Sequence, residues 1–473
     1  MVFSSSLFLL YFFPAFLIIY FVLPTKFKNI FILLASILFY AWGAPDFIVF
    51  VLGSITIDFY LVKWLYKSKN RKKLILTSIS VFINIGLLAY FKYANFFVEN
   101  INAFILSLGV NAINWVKVAL PIGISFFTFQ KITYTIDVHR NVHAPLKKLT
   151  DYAMYILMFP QLIAGPIVRY NEIADQIENR KKFETADNRL TGFFRFVVGL
   201  SKKVLIANVL GQQVDFIFSL NENALTTPMA WIGILAYAFQ IYYDFSGYSD
   251  MAIGIGRMIG FKFPENFNNP YISQSISEFW RRWHITLGAF MKNYLYIPLG
   301  GNRVSAARMY FNLWLVFAIS GLWHGAAWNF VIWGIYHGLF LVMDRLFLLK
   351  FYDRIGKVPS VIITFFITLV GWVFFRAETI SQASFYIKKM FTADFRDLDY
   401  FLDLKFYIIL ILAFIFAFMA IFKRNEFWQE KVLSTFQSNR NMVFMTIWAI
   451  LFFIICLSFI TSSGFNPFIY FRF

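Results

Sequence analysis

One cysteine, Cys456, is all that the 473 residues contain, so no disulfide can form within the chain. Five histidines are scattered through it, and no Cys/His grouping has the spacing of a metal site. Acidic side chains are scarce, 25 Asp and Glu against 43 Lys and Arg, and charged residues of both signs make up only 14%. That excludes an ordinary soluble globule. Signatures of soluble acyl-transfer enzymes are missing too. There is no G-x-S-x-G elbow, and an H-x4-D pattern fails because Asn329 stands five residues after His324. No Gly/Ser-rich linker separates domains and no internal repeat recurs, so residues 1–473 read as a single domain.

What is present is apolar: 59% of residues are hydrophobic, 63 of them Phe, in repeated runs long enough to cross a bilayer. The fold class expected is all-α, a polytopic membrane protein with roughly ten to twelve crossings or half-crossings, at about 20 residues per span. The net charge of +18 falls largely in short loops, where it sets topology and meets membrane lipid rather than nucleic acid.

The first run, Leu7–Leu23, has no basic residue ahead of it, which is the wrong polarity for a cleaved signal peptide and predicts an N-terminus outside. Runs at Asn29–Trp42 and Phe47–Leu65 lead to the basic loop Lys63–Lys73, placed in the cytoplasm by both span counting and positive charge. Leu74–Phe91 returns outward, Phe96–Leu108 is expected to lie flat there, and Val118–Ile136 comes back to a basic loop holding His139 and His143. Pro160, Gly165 and Pro166 predict a re-entrant break in Tyr152–Val168. The polar stretch 172–190 reads as cytoplasmic, and Lys202 and Lys203 make Phe193–Leu210 a tilted or interfacial helix. After the crossing Met229–Phe245, the run DFSGYSD carries Asp244 and Asp250. These could shape a pocket, pair with Arg281 or Arg282, or cap a helix, and the Ser/Gly/Asp clustering favours the cap. Later spans at Ile362–Phe374, Phe406–Ile421 and Met442–Phe459 read as structural.

The stretch from Glu265 to Asp344 carries the chemistry. Between Met309 and Met343 no acidic or basic side chain occurs except histidine. That segment would extend roughly 50 Å as one helix against a bilayer core of about 30 Å, so it is one long tilted helix or two broken near Gly321 and Gly325. His324 lies near its middle. A titratable group at that depth is costly and reads as functional, although a hydrogen-bonded core histidine is the plain alternative. Small neighbours at Gly321, Gly325, Ala326 and Ala327 leave room, Trp323 and Trp328 can wall the site, and Asn329 can hydrogen-bond a reactant. His337, thirteen residues on, would point away from His324 in an unbroken helix. His284 follows Arg281, Arg282 and Trp283. There Phe279, Trp283, Leu287, Met291 and Tyr294 form an apolar stripe at helical spacing, so the segment reads as an interfacial helix, and a bare membrane anchor would explain the Arg pair equally well.

SEFWRRWHITL…YLYIPLGGNR followed by LWHGAAWNFVIWGIYHG resembles the membrane-bound O-acyltransferase family, in its bacterial branch that O-acetylates exported polysaccharides such as alginate and peptidoglycan. PIGISFFTFQ, FPQLIAGPIVRY, GLSKKVLIAN, YYDFSGYSDMAIG and the terminal FIYFRF extend the likeness over nearly the whole chain. The resemblance implies that His324 is catalytic and that His284 is the family's second histidine. It implies helices around a central tunnel in a bacterial cytoplasmic membrane, with acetyl-CoA as donor, no bound cofactor, and a periplasmic acetyltransferase partner that receives the acetyl group.

Neutral imidazole suits such chemistry, because a hydroxyl attacking a thioester must lose its proton to a base. The substrate contacts expected are Asn329, Trp323, Arg281, Arg282, Asp244 and Asp250, with the two arginines suited to coenzyme A phosphates. A polytopic chain with broken helices and a buried histidine is also compatible with a proton-coupled transporter or flippase of an envelope precursor; the missing repeat counts against it.

Overall fold

The computed structural model describes residues 2–396, 402–422, 424–427, 429 and 439–462, and the terminal FIYFRF lies outside them. All regular structure among these residues is helical, and the one β-bridge joins Phe267 to Trp283. Among the described residues, seven helices are long and apolar enough to cross a membrane. The chain divides into two compact units, residues 1–184 with 259–264, and residues 185–258 with 265–473.

In the first unit the spans are Thr25–Gly43, Pro45–Lys67 and Asn70–Ser107, with Phe8–Val22 as a shorter apolar helix. Phe96–Leu108 does not form the separate flat helix expected of it. A wide turn at Ala89–Tyr93 carries the preceding helix through, because no proline interrupts 70–107. The break near Pro160 is present: the helix Leu149–Leu157 stops, a short turn Phe159–Leu162 follows, and its loose backbone is buried. Phe159 N donates to Ser36 Oγ at 3.1 Å, and Gln161 Nε2 donates to the Tyr155 carbonyl at 2.7 Å, so irregular chain at this depth is satisfied by protein.

In the second unit two helices cross closely. Ala186–Ser201 continues through a wide turn, Lys202–Ala207, into Asn208–Ser219, and packs on Thr227–Met258. A Cβ on Gly199 would come within 2.4 Å of the Gly247 carbonyl, and one on Gly254 within 2.6 Å of the Gly192 carbonyl, so only glycine allows this approach. It brings charges together. Lys203 lies 2.7 Å from Asp244 with both side chains almost wholly buried, and Asp250 takes Arg195 and Lys202, the latter at 2.6 Å. Two sequence expectations are corrected here. DFSGYSD sits inside the 32-residue helix Thr227–Met258 rather than capping one, and its carboxylates pair with the lysines and Arg195, not with Arg281 or Arg282. Phe193–Leu210 is a buried helix, its lysines neutralised by the neighbouring helix.

Candidate active site

The segment around His284 is held by a loop rather than by a continuous helix. Ser275 starts the helix Ile276–Arg282 by accepting from Glu278 N at 3.1 Å. The helix stops at Trp283 because residues 266–268 take over its hydrogen bonds: Asn268 N donates to the Arg282 carbonyl and Ile285 N to the Asn266 carbonyl, each at 2.9 Å. Asn266 also accepts from Thr286 Oγ1 at 2.9 Å and donates to Ser249 Oγ at 3.1 Å. Between these ties His284 is left-handed, φ 44° and ψ 53°, a conformation that costs a non-glycine residue about 1–3 kcal/mol. The apolar stripe of residues 279–294 therefore does not lie on one interfacial helix. His284 is 1% exposed, its ring set edge-on to Phe245 at 4.7 Å, and neither ring nitrogen has a partner among the described residues.

His324 ends the helix Ala306–His324, and Trp328–Met343 follows after a three-residue break. The two pack at Gly321 and Gly334, where a Cβ on Gly321 would meet the Phe330 carbonyl at 2.3 Å. The break turns the His324 ring into an aromatic box of Trp323, Trp333 and Phe375, at 4.9, 5.1 and 5.3 Å. The rings of His284 and His324 stand 6.2 Å apart, with Trp323 beside both. His337 makes no ring contact with His324; it packs at 5.2 Å on Trp333, one turn back on its own helix, and that indole also borders His324. It is fully buried and neither ring nitrogen has a partner among the described residues.

Asn329 spends its amide nitrogen on the carbonyls of Phe374 at 3.3 Å and Ala377 at 2.7 Å, which ties the break to the end of the helix Lys357–Arg376. Only its buried Oδ1 is open to another partner among the described residues. Arg282 is committed to Glu278 at 2.9 Å and Glu426 at 3.1 Å. Arg281 instead lines a cavity of about 470 Å³ whose wall includes His284, Trp280 and Ser320. Its lining carries three cations, Arg281, Lys292 and Arg345, and no carboxylate among the described residues. Lys292 and Arg345 were not among the substrate contacts expected from sequence; Arg345 is the first cation after the apolar run that ends at Met343. A second cavity of about 320 Å³ is lined by Asp250, Arg195, Lys202 and Asn266, and Ile285 borders both cavities. Asp244 is sealed in its ion pair, whereas Asp250 reaches a cavity wall.

Residues 124–377 match the model of the membrane-bound O-acyltransferase family. The chain is 43% identical over 397 residues to a probable alginate O-acetylase of Pseudomonas aeruginosa, covering 83% of this chain and 75% of that protein. It is 44% identical over 391 residues to a probable alginate O-acetylase of Azotobacter vinelandii, with 81% and 76% covered. A peptidoglycan O-acetyltransferase of Helicobacter pylori is 38% identical over 424 residues, with 82% and 80% covered.

Proposed function

The chain belongs to the membrane-bound O-acyltransferase family, and from that premise we propose that it takes an acetyl group from cytoplasmic acetyl-CoA and passes it across a bacterial inner membrane. There a periplasmic acetyltransferase uses it to O-acetylate an exported polysaccharide, of the alginate or peptidoglycan kind that its relatives are named for. One observation carries this reading: two buried imidazoles 6.2 Å apart, one of them on the wall of a cationic cavity. That a multi-pass acyltransferase is at hand follows from the family and the seven spans.

The second unit supports the direction of transfer. The helix Ala186–Ser201 and its continuation leave the polar stretch 172–190, taken as cytoplasmic, and Asp215 near their far end pairs with Arg376 at 2.9 Å. Arg376 and its neighbour Ala377, which Asn329 binds, thus belong to the outer end. Arg345 lies sixteen residues beyond Asn329, about 24 Å along a helix, at the cytoplasmic end. A thioester entering there meets Arg281, Lys292 and Arg345, which suit its phosphates, before its acetyl group reaches the histidines.

In the transfer step the acceptor hydroxyl oxygen attacks the acetyl carbonyl while His324 Nε2 or Nδ1 takes the hydroxyl proton. The C–O bond forms, the C–S bond breaks, and the imidazolium returns the proton to the leaving thiolate. Assay of the purified protein with acetyl-CoA and a hydroxyl acceptor tests the reading; intact thioester in the presence of acceptor and partner overturns it. In the same assay Arg281→Gln with Arg345→Gln is expected to raise KM for acetyl-CoA by roughly tenfold or more, as loss of charge-assisted bonds requires, with kcat little changed. An unchanged KM removes the phosphate role.

Orientation is tested separately. Cysteine introduced at Lys69 or Lys148 is expected to label only after the cells are opened, and the one native thiol, Cys456, is fully buried and gives little background. Labelling from outside intact cells reverses the topology.

A further inference from the structure

The first unit contains a polar site that acyl transfer does not use. A cavity of about 310 Å³ lies between the helices Ile48–Lys67 and Asn70–Leu88 and reaches Lys131 on Ile124–His139. Its mouth is apolar and faces outward, with Ile57 60% and Ile83 37% exposed. Its inner end holds Asp58 and Lys131, which are 3% and 1% exposed.

The two charges are not equally provided for. Asp58 Oδ1 accepts from Ser80 Oγ at 2.7 Å and Asn84 Nδ2 at 3.0 Å, and Oδ2 accepts from the Tyr152 hydroxyl. Lys131 has no hydrogen bond or ion pair among the described residues, although it lines the cavity and is almost wholly enclosed. Depth matters as well. Asp58 is nine residues from Lys67 and Lys131 eight from His139, each about 12–13 Å along a helix and so well inside a core of about 30 Å. Ionisable groups at such depth are costly and mark binding or transport sites.

We propose that this cavity binds a neutral, membrane-dissolved lipid through a carbonyl oxygen that accepts a hydrogen bond from Lys131. Charge balance selects the class. Asp58 and Lys131 already sum to zero, so an anionic ligand would leave a net charge in hydrocarbon, whereas a carbonyl satisfies the ammonium and adds none. Size agrees: about 310 Å³ holds roughly ten water-sized groups at about 30 Å³ each, enough for a ring or a short length of chain. The carbonyl can come from the ester of a diacyl lipid or from an isoprenoid quinone, and the apolar mouth admits the tail of either.

The full-length protein is purified in mild detergent, and the lipids it retains are extracted and quantified by mass spectrometry against protein. The wild-type chain is expected to hold a stoichiometric amount of one lipid class, and its mass, with ultraviolet absorbance for a quinone, says which. Gly53→Phe puts a ring at the cavity wall, where a Cβ on Gly53 meets no atom within 4 Å. It is expected to abolish retention while detergent-stable monodispersity is kept. Lys131→Met combined with Asp58→Asn keeps the site neutral but removes the donor, and is expected to weaken retention roughly tenfold, the weight of one hydrogen bond to a charged group. Wild-type protein free of both lipid classes, or Gly53→Phe protein that retains as much as wild type, overturns the proposal. Full retention by the double variant overturns the role of Lys131.

Discussion

Acetyl transfer by His324→Ala is expected to fall by about 10²–10⁴, the usual weight of a general base, while the chain still inserts and accumulates. Truncation leaves the helix backbone as it is and opens a small cavity inside the box of Trp323, Trp333 and Phe375. Such a cavity costs a few kcal/mol at most, roughly the lower range for core truncations. His284→Ala makes the informative contrast. That ring lines the cationic cavity, so its loss is expected to raise KM for the donor more than it lowers kcat, with some loss of stability because the buried ring's packing on Phe245 goes with it. Steady-state kinetics on both variants at matched protein levels decide the roles. If His284→Ala loses kcat and His324→Ala keeps it, the base is assigned to the wrong ring; if both keep it, the base mechanism fails.

Lys203→Met is expected to destabilise the second unit by about 3–5 kcal/mol, the cost of stranding a buried charge. Asp244 is 2% exposed and 2.7 Å from Lys203, and Gly199 and Gly247 hold the two helices in close backbone contact around the pair, away from water. The effect is expected as a large drop in thermal midpoint in detergent and in yield. Lys203→Met with Asp244→Leu removes both charges and is expected to restore most of the loss. Activity then separates two readings of Asp244. A stable, active double variant makes the pair purely structural, whereas a stable but inactive one returns Asp244 to the substrate path.

The broken region at Tyr152–Val168 was legible because proline and glycine act locally. The discontinuity after His324 was legible as one of two alternatives for the same reason. His284 was legible only as a residue of interest. Its helical stripe is real in sequence, yet two backbone bonds and a side-chain bond from residues 266–268 compete with it and win, and those partners are distant enough in sequence to leave no periodic signal. His337 was set aside on helix geometry that held only for an unbroken helix.

Charge pairing was the least legible feature. Lys202 and Lys203 read as interfacial, and Asp58 and Lys131 passed unremarked inside apolar runs, because a lone sequence shows each charge without its counter-charge. Long unbroken apolar runs determined that the chain is helical and lies in a membrane, since a run of about 20 apolar residues crosses hydrocarbon with its backbone groups satisfied within itself only as a helix. The long motifs carried the resemblance to the family, and that resemblance implied His324. The tertiary structure decided which charges cancel, which arginine faces a cavity, and how far apart the two imidazoles stand. Those depend on helices meeting at glycines far apart in the chain, and packing of that kind is a property of pairs of segments that no single segment carries.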